Sequence, residues 1–483
     1  MPQLNERNVR HLLRRTEFVD RQSRVDELLQ AESFAAAVDN VLDVPTNPPS
    51  VVFQETDPDK NWHRSQELAH FWLDRMATTS PRPMQEKMAL FWHGHLVSAF
   101  NKIGSGELMR DQIDLYRRDG LGDFRAMVKK MSVQVAMLRY LDNNRNEAES
   151  PNQNFARELM ELFLLGVGNY TEADVEAATA AWTGHSDNWE TDEYVWRDDL
   201  PKKPWTPIYH DSSVKQLLGR TINEGEEPRD HGDETIDVIL GNGVVPGGPE
   251  GADNVENHGR RTRDVAAEFL SRKLWIDFGN QEPPEDVIEA MRKALVAADF
   301  EIRPWVRTML LRSEFYADEV LNGLVRSPID WVVSVLYALD LPSQDNTPMW
   351  LLAGTGQKIL EPPNVSGWKT NSYYVNASAM AARANMSASF AWRAHHDFWG
   401  DGGYLQFRNG RLTRDELSDS NGWPDYVPTM SSEQVIDNIA ALMEIRISDA
   451  SRRRLIDHVD AGGLGERADA VLLTLLAPEL HTA

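Results

Sequence analysis

The amino-acid sequence predicts a mainly α-helical protein: one large multi-helix domain with long loops and at most one or two short β-hairpins. Through most of the chain, apolar residues recur at i, i+3 and i+4 with charged residues between them. Alternating strand patterns are rare, and prolines and glycines gather in a few long, polar segments. These three observations favour a helical architecture with functional loops.

The helical period predicts the elements in chain order. At 171–183 a start signal is present, because Thr171 can cap the helix and acids follow in its first turn. The best strand candidates lie at 194–197 and 206–209 and would form one small hairpin. The predicted helices lie at 4–15, 22–30, 32–43, 61–78, 82–100, 106–119, 122–138, 151–165, 171–183, 259–278, 284–298, 302–313, 327–340, 376–393, 432–447, 450–460 and 464–477.

Changes in composition predict the domain organisation. Residues 1–397 are expected to form the main helical domain, with a loop-rich insertion at about 184–258 where glycine, aspartate and proline are frequent. The proline-containing segment 341–375 is expected to be a long ordered loop. Residues 398–483 are expected to form a loop and a small C-terminal helical subdomain that packs on the main domain.

Charge and composition exclude several classes of function. The 483 residues include 75 acidic and 50 basic side chains, a formal net charge of −25, which argues against nucleic acid as a partner. The chain has no cysteine, so a disulfide scaffold, a thiolate metal site and a cysteine nucleophile are excluded. The sequence has no apolar stretch long enough for a membrane helix and no apolar segment typical of a secretory signal, so we expect a cytoplasmic protein without a membrane partner.

Two histidines, His93 and His95, are separated by Gly94. Neutral imidazoles are common ligands of borderline divalent metals. On a straight helix the two side chains point roughly 200° apart, so only a kink at Gly94 brings both to one ion. Alternatively, one histidine is a hydrogen-bonded core residue and the other faces a loop.

The helix predicted at 151–165 is the most informative in the chain. Its polar residues Asn154, Arg157, Glu158 and Glu161 fall within one stripe, and most of its remaining positions are apolar. This pattern predicts a helix that is buried nearly all round, with the stripe facing an internal polar cleft. Alternatively, the stripe is a structural network of ion pairs.

Three further segments carry candidate residues. His210 precedes Asp211 and could be a base or a metal ligand; alternatively, Asp211 caps a helix and His210 is incidental. Trp368 follows a proline-stiffened turn and offers a flat ring to a ligand, or else packs. Asp142 lies in a polar turn that could bind a cation or cap the next helix.

Together these segments resemble a bacterial family catalogued as domain of unknown function 1800. The resemblance implies a mainly helical bacterial protein of unestablished activity, in a family whose members often look exported and are often encoded beside a sulfatase-like partner. The chain departs from the family pattern at Gln153, where Glu is usual, and at His185, where Trp is usual. The resemblance is carried by residues 11–16, 91–95, 121–125, 140–143, 151–166, 170–175, 183–184, 210–211, 356–357, 362–365 and 367–368.

The leading hypothesis from the sequence is an enzyme with a cleft of histidines and carboxylates, for which metal-dependent hydrolysis is favoured. A divalent metal would bind through His93, His95 and Glu158. The predicted catalytic residues are Glu158, Glu161 and His210. The predicted substrate-binding residues are Asn154, Arg157, Asp142 and Trp368.

Two alternatives remain open at this point. A metal-free glycan-active enzyme would pair Glu158 or Glu161 with Asp142 or Asp211, and loop tryptophans would bind sugars. A non-catalytic protein would use the tryptophan loops to bind a sulfatase-like protein or a glycan, with the polar stripe as a buried network.

Overall fold

The computed structural model describes residues 1–57, 59–201, 206–225, 227–246, 257–321, 323–343, 349–395, 404–417, 429–461 and 464–482. Helices dominate these ranges, and the only sheets within them are short hairpins, which confirms the mainly α class. Within the same ranges, none of the helices combines the length and the hydrophobicity that a membrane span requires.

The helices of the first half alternate with short loops. They are α1 (Glu6–Thr16), α2 (Gln22–Leu29), α3 (Phe34–Leu42), α4 (Asn61–Asp74), α5 (Met84–His95), α6 (Phe100–Ile103), α7 (Gly106–Asp119), α8 (Phe124–Ser132), α9 (Val135–Tyr140), α10 (Asn154–Glu158), α11 (Glu172–Ala181) and α12 (His231–Ile239). Two π-helical turns continue α4 and α10, at Arg75–Thr79 and Leu159–Leu164.

The second half is also helical. It contains α13 (Thr262–Phe278), α14 (Glu285–Ala297), α15 (Ile302–Leu310), α16 (Asp318–Leu321), α17 (Pro328–Ala338), α18 (Met349–Gly354), α19 (Ala377–Ala394), α20 (Arg414–Leu417), α21 (Ser432–Leu442), α22 (Asp449–Ala461), α23 (Leu464–Leu475) and α24 (Pro478–His481). The strands are β1 (His185–Asn188), β2 (Glu193–Trp196), β3 (Lys215–Leu217), β4 (Arg220–Ile222), β5 (Tyr404–Phe407) and β6 (Gly410–Thr413).

The described residues contain three antiparallel hairpins, one more than the expected upper limit. The predicted strand at 194–197 is β2, but its partner is β1, and residues 206–209 form no strand. Strand β3 turns directly into β4 through Leu218 and Gly219, both at positive φ, as a tight two-residue hairpin requires. Strands of three residues are too short to show alternation, which explains why the sequence did not predict this hairpin.

Each predicted helix has a helical counterpart, but several of them are interrupted or change their helical type. The segment 122–138 divides into α8 and α9, because Gln134 adopts an extended backbone between them. The segment 151–165 changes after Glu158 from α-helix to a π-helical turn. The wider turn alters the angular spacing of side chains on which the predicted polar stripe depended.

One hydrophobic core extends from Val9 to Leu480 and includes residues from both halves of the chain. Helix α5 lies deep within it, since every residue from Met84 to His95 except Gly94 is buried. The C-terminal helices contribute to the same core through residues such as Val435 and Leu475. The proposed division at residues 397 and 398 stays a prediction.

Glu86 on α5 is fully buried and is satisfied by three side chains. Its carboxylate accepts hydrogen bonds from Trp72 Nε1 at 3.1 Å and from Arg75 Nε at 3.3 Å. Arg117 adds two more, from Nε at 2.7 Å and from Nη2 at 3.1 Å. The network connects α4, α5 and α7, and a buried carboxylate is stable there because two guanidinium groups compensate its charge.

We expect Glu86→Gln to lower the free energy of unfolding by about 3–5 kcal/mol, because it leaves two buried guanidinium groups without their counter-charge. Urea denaturation followed by circular dichroism measures the loss. Glu107→Gln is the matched control, since Glu107 pairs with Arg64 at the surface and should cost no more than about 1 kcal/mol. Equal losses in the two variants would contradict a structural role for the buried network.

Candidate functional site

A cavity of about 500 Å³ lies between α5, α13 and the loop at residues 365–371. This volume is within the range of small-molecule sites, and the walls combine apolar surface with a few charged groups. We call it the central cavity. It is lined by Lys87, Leu90, Phe91, Gly94, His95, Leu162, Phe269, Arg272, Lys273, Ile276, Asp277, Leu324, Val325, Ser327, Asp330, Gln357, Val365, Ser366, Trp368, Lys369, Thr370 and Asn371.

Two helices present one face each to the central cavity. Positions i, i+4 and i+8 of a helix lie on the same face. On α5 these positions are Lys87, Phe91 and His95. On α13 they are Phe269, Lys273 and Asp277. Each helix therefore places an aromatic ring and a charged group in the wall.

A buried ion pair joins α5 to α17 at the cavity. Lys87 Nζ lies 2.8 and 2.9 Å from the two carboxylate oxygens of Asp330. The same ammonium lies 4.9 Å from the centre of the Phe18 ring and 5.8 Å from that of Phe278. Aromatic faces and a carboxylate together hold the cation in a low-dielectric position.

Asp277 also lines the cavity. Within the described parts of the chain its carboxylate has no hydrogen bond and no ion pair. Burial raises the pKa of Asp277 to about 6, the charge of Asp330 acts in the same direction, and Lys87 and Arg15 oppose the shift. A carboxyl group that titrates near neutrality in a cavity is a typical functional-site feature.

The loop that carries Trp368 contacts α5 very closely. Gly367 has a φ of 79°, and a Cβ atom there would lie 1.9 Å from the carbonyl oxygen of Gly94. A Cβ atom on Gly94 would in turn lie 3.3 Å from the Trp368 ring. The two glycines therefore allow the contact that places Trp368, a predicted substrate-binding residue, in the cavity wall.

The predicted metal ligands His93, His95 and Glu158 are not brought together. Helix α5 stays α-helical through Gly94 as far as His95, and the two imidazoles have different neighbours. His93 is fully buried between Trp72 and Trp368, and its two ring nitrogens have no hydrogen-bond partner among the described residues.

His95 Nε2 lies 2.8 Å from the carbonyl oxygen of Phe163. Burial lowers the pKa of His95, like that of His93, to about 3, so both imidazoles are neutral. No group of three or more histidine and carboxylate side chains with metal-binding geometry occurs in the described ranges.

The predicted polar stripe on α10 lies beside the central cavity and does not line it. Glu158 is half-buried, and its pKa is raised by burial and by Glu161, whose carboxylate accepts a hydrogen bond from Tyr170 at 2.5 Å. Arg157 pairs with Glu172 at the surface. The expectation that both acids are internal was wrong, because the stripe faces a partly exposed polar region.

Two predicted substrate-binding residues belong to the same region as the stripe. Asn154 Nδ2 donates to the carbonyl oxygen of Leu141 at 3.1 Å. Asp142, with a φ of 56°, forms an ion pair with Lys102 at 2.8 Å. These contacts fix the turn before α10, and the roles predicted for the residues of this region stay predictions.

His210 lies in a third place, close to β1 and α12. Its Nδ1 lies 2.8 Å from the carbonyl oxygen of Thr183, and its Nε2 lies 2.8 Å from Nδ1 of His231. Burial lowers the pKa of His210, so a neutral imidazole fits this hydrogen-bonded position. The structure therefore divides the predicted site residues among three regions. Of these predicted residues, only His95 and Trp368 line the central cavity.

Sequence reasoning missed the charged residues of the cavity. Asp277 lies in α13 between the apolar residues Ile276 and Phe278, whereas Lys87 directly follows Glu86 in α5. A charge embedded in such a run signals a buried ionisable group. Asp330, in a helix that is otherwise almost wholly apolar, carries the same signal.

We expect Gly367→Ala to destabilise the protein by about 3 kcal/mol, because the new Cβ atom would collide with α5 and displace the loop. Gly168→Ala is the matched control, since Gly168 has a φ of 82° and open space around it. It should cost only about 1–2 kcal/mol from backbone strain. Urea denaturation compares the two, and equal costs would contradict the close contact at Gly94.

We expect Asp277→Asn to stabilise the folded protein at neutral pH. The pKa of Asp277 is raised above its unfolded value of about 3.9, so ionisation destabilises the fold increasingly between about pH 4 and pH 6, and the cost persists above that window. The variant should gain about 2 kcal/mol near pH 8 and less near pH 5. Asp457→Asn on the surface of α22 is the control, and a gain independent of pH would contradict the raised pKa.

Comparison with known proteins places this architecture in a family. No curated protein and no solved structure matches the chain. The family described as "Protein of unknown function (DUF1800)" matches residues 11–481, which includes the cavity helices α5, α13 and α17. Because the match covers nearly the whole chain, the protein belongs to this DUF1800 family.

Proposed function

We propose that the protein is an enzyme that binds a small substrate in the central cavity and transfers a proton through Asp277. The observation that carries this proposal is an ionisable carboxyl group with a pKa of about 6, without a direct partner among the described residues, in the wall of a 500 Å³ cavity. Structural carboxylates are normally satisfied by cations or hydrogen bonds, whereas catalytic acids and bases must exchange a proton.

The neighbours of Asp277 fit this role. Asp330 raises the pKa of Asp277 and Lys87 lowers it. The two members of the ion pair between α5 and α17 therefore have opposing effects on this pKa. Because packing holds the Lys87–Asp330 pair at 2.8 Å, the pair can influence the pKa of Asp277 without moving during a reaction.

Hydrolysis is the reaction class that we favour. At neutral pH most Asp277 side chains would be ionised and able to take a proton from water, and a protonated fraction would remain to donate one. Apolar surface from Phe91, Phe269 and Trp368 would bind the body of the substrate. Dependence of the reaction on a divalent metal stays a separate prediction, which elemental analysis of untagged protein tests.

A glycan substrate is the second candidate, and Trp368 is the observation that favours it. Its ring forms part of the wall of the same cavity as two carboxylates, Asp277 and Asp330. The apolar face of a sugar can stack on such a ring while carboxyl groups act on the glycosidic bond. Activity on glycosides rather than on esters would select this candidate.

We expect Asp277→Asn to reduce kcat/KM by at least about 100-fold, because the amide cannot exchange a proton. A panel of chromogenic carboxylate esters, phosphate esters, sulfate esters and glycosides first identifies the activity of the wild-type protein. The wild-type kcat/KM should rise with pH through about 6, where the base becomes ionised, and the variant should lack this rise.

Asp457→Asn serves as the control for this comparison, because Asp457 is exposed on α22, and its kcat/KM should equal that of the wild type. A fully active Asp277→Asn variant, or an unchanged pH profile, would overturn the catalytic role of Asp277.

A further inference from the structure

Charge around the central cavity is opposite in sign to the charge of the chain. The whole protein carries a formal net charge of −25. The described side chains of the cavity wall nevertheless include four cations and only two carboxylates, Asp277 and Asp330. The cations are Lys87, Arg272, Lys273 and Lys369. A local positive excess within an acidic protein favours an anionic ligand, since low-dielectric walls focus the field of the cations.

Two of the four cations are already compensated. Lys87 pairs with Asp330 at 2.8 Å. Arg272 pairs with Glu268 at 3.2 Å and with Glu285 at 2.6 Å. These two cations form part of the wall, but their carboxylate partners already neutralise them, so they would attract an anionic ligand only weakly.

The other two cations, Lys273 and Lys369, have no carboxylate partner within the described parts of the chain. The pKa of Lys273 is lowered by burial and, in addition, by the charge of Lys369. Its ammonium group lies 5.4 Å from the centre of the Phe269 ring. The half-buried Lys273 and the exposed Lys369 repel each other, and an anion that binds between them reduces this repulsion.

Buried arginines reinforce the positive field behind the cavity. Arg15 and Arg326 are almost completely buried, and both interact electrostatically with Asp330. Arg15 Nε and Nη1 have no hydrogen-bond partner among the described residues. Among the described residues that line the cavity, Asp277 and Asp330 are the only acids, so the cations around it favour an anionic ligand.

We propose that the substrate carries an oxyanion, a carboxylate, sulfate or phosphate group, which binds between Lys273 and Lys369. Its apolar or aromatic body lies against Phe91, Phe269 and Trp368 in the same cavity. This inference rests on the proposed function, because it assigns the substrate class of the same cavity. Asp277, eight residues after Phe269 on the same face of α13, would then take a proton from a water molecule that attacks the group carrying the oxyanion, and would return that proton to the leaving group as its bond breaks.

Isothermal titration calorimetry of the full chain at constant ionic strength measures the affinity of small probes and tests the proposal. The probes are phenyl phosphate, phenyl sulfate and benzoate, with benzyl alcohol as the uncharged control of similar size. We expect at least one oxyanion probe to bind about tenfold or more tightly than benzyl alcohol, and the tightest probe identifies the kind of oxyanion. Equal binding of benzyl alcohol, or no binding of any oxyanion probe, would overturn the proposal.

Substitution of the two lysines locates the anion. Lys273→Gln and Lys369→Gln should each weaken binding of the tightest probe by about tenfold, because each removes one charged hydrogen-bond donor. Lys293→Gln is the matched control, since Lys293 lies exposed on α14 and pairs with Glu289. Unchanged affinity in the double variant, with a wild-type circular dichroism spectrum, would overturn the assignment to these lysines.

The Asp277→Asn variant separates this inference from the proposed function. It should bind the oxyanion probe at least as tightly as the wild type, because a repelling carboxylate is removed, while its catalytic activity is lost. Loss of activity without any oxyanion binding would leave the catalytic proposal standing and reject the substrate class. Oxyanion binding with full activity in this variant would support the substrate class and reject the catalytic role of Asp277.

Discussion

The buried ion pair between Lys87 and Asp330 is the interaction on which the site depends. It joins α5, which is buried on nearly every side, to α17, whose residues are likewise buried throughout. A pair removed from water is stable only when packing fixes its geometry, and here the rings of Phe18 and Phe278 enclose the cation. The same two charges act in opposite directions on the pKa of Asp277.

Two adjacent residues of α5, Glu86 and Lys87, have opposite charges and extend from different sides of the helix. Glu86 is directed towards Arg75 and Arg117, whereas Lys87 is directed towards Asp330 and the cavity. Consecutive helical residues lie about 100° apart, so one helix can organise two buried networks. One network stabilises the packing of α4, α5 and α7, and the other sets the electrostatics of the cavity wall.

The sequence predicted the helical class and the positions of the helices, because apolar periodicity reports burial directly. It could not predict which polar residues meet, since this depends on helix packing. Glu158 and Glu161 looked internal on a regular helix, but the π-helical turn after Glu158 changed that geometry. Asp277 was overlooked because one acid among apolar residues forms no motif, although its place in the wall of the cavity distinguishes it in the fold.

The central claim is that Asp277 titrates near neutrality inside the cavity, and its pKa can be measured directly. Infrared difference spectroscopy of the carboxyl band, with the Asp277→Asn variant subtracted, follows this one group across pH. A pKa of about 6 is the expected result, because burial and Asp330 outweigh Lys87 and Arg15. A pKa near the ordinary value of about 3.9 would show a solvated or neutralised carboxylate and would contradict its role as the acid–base group.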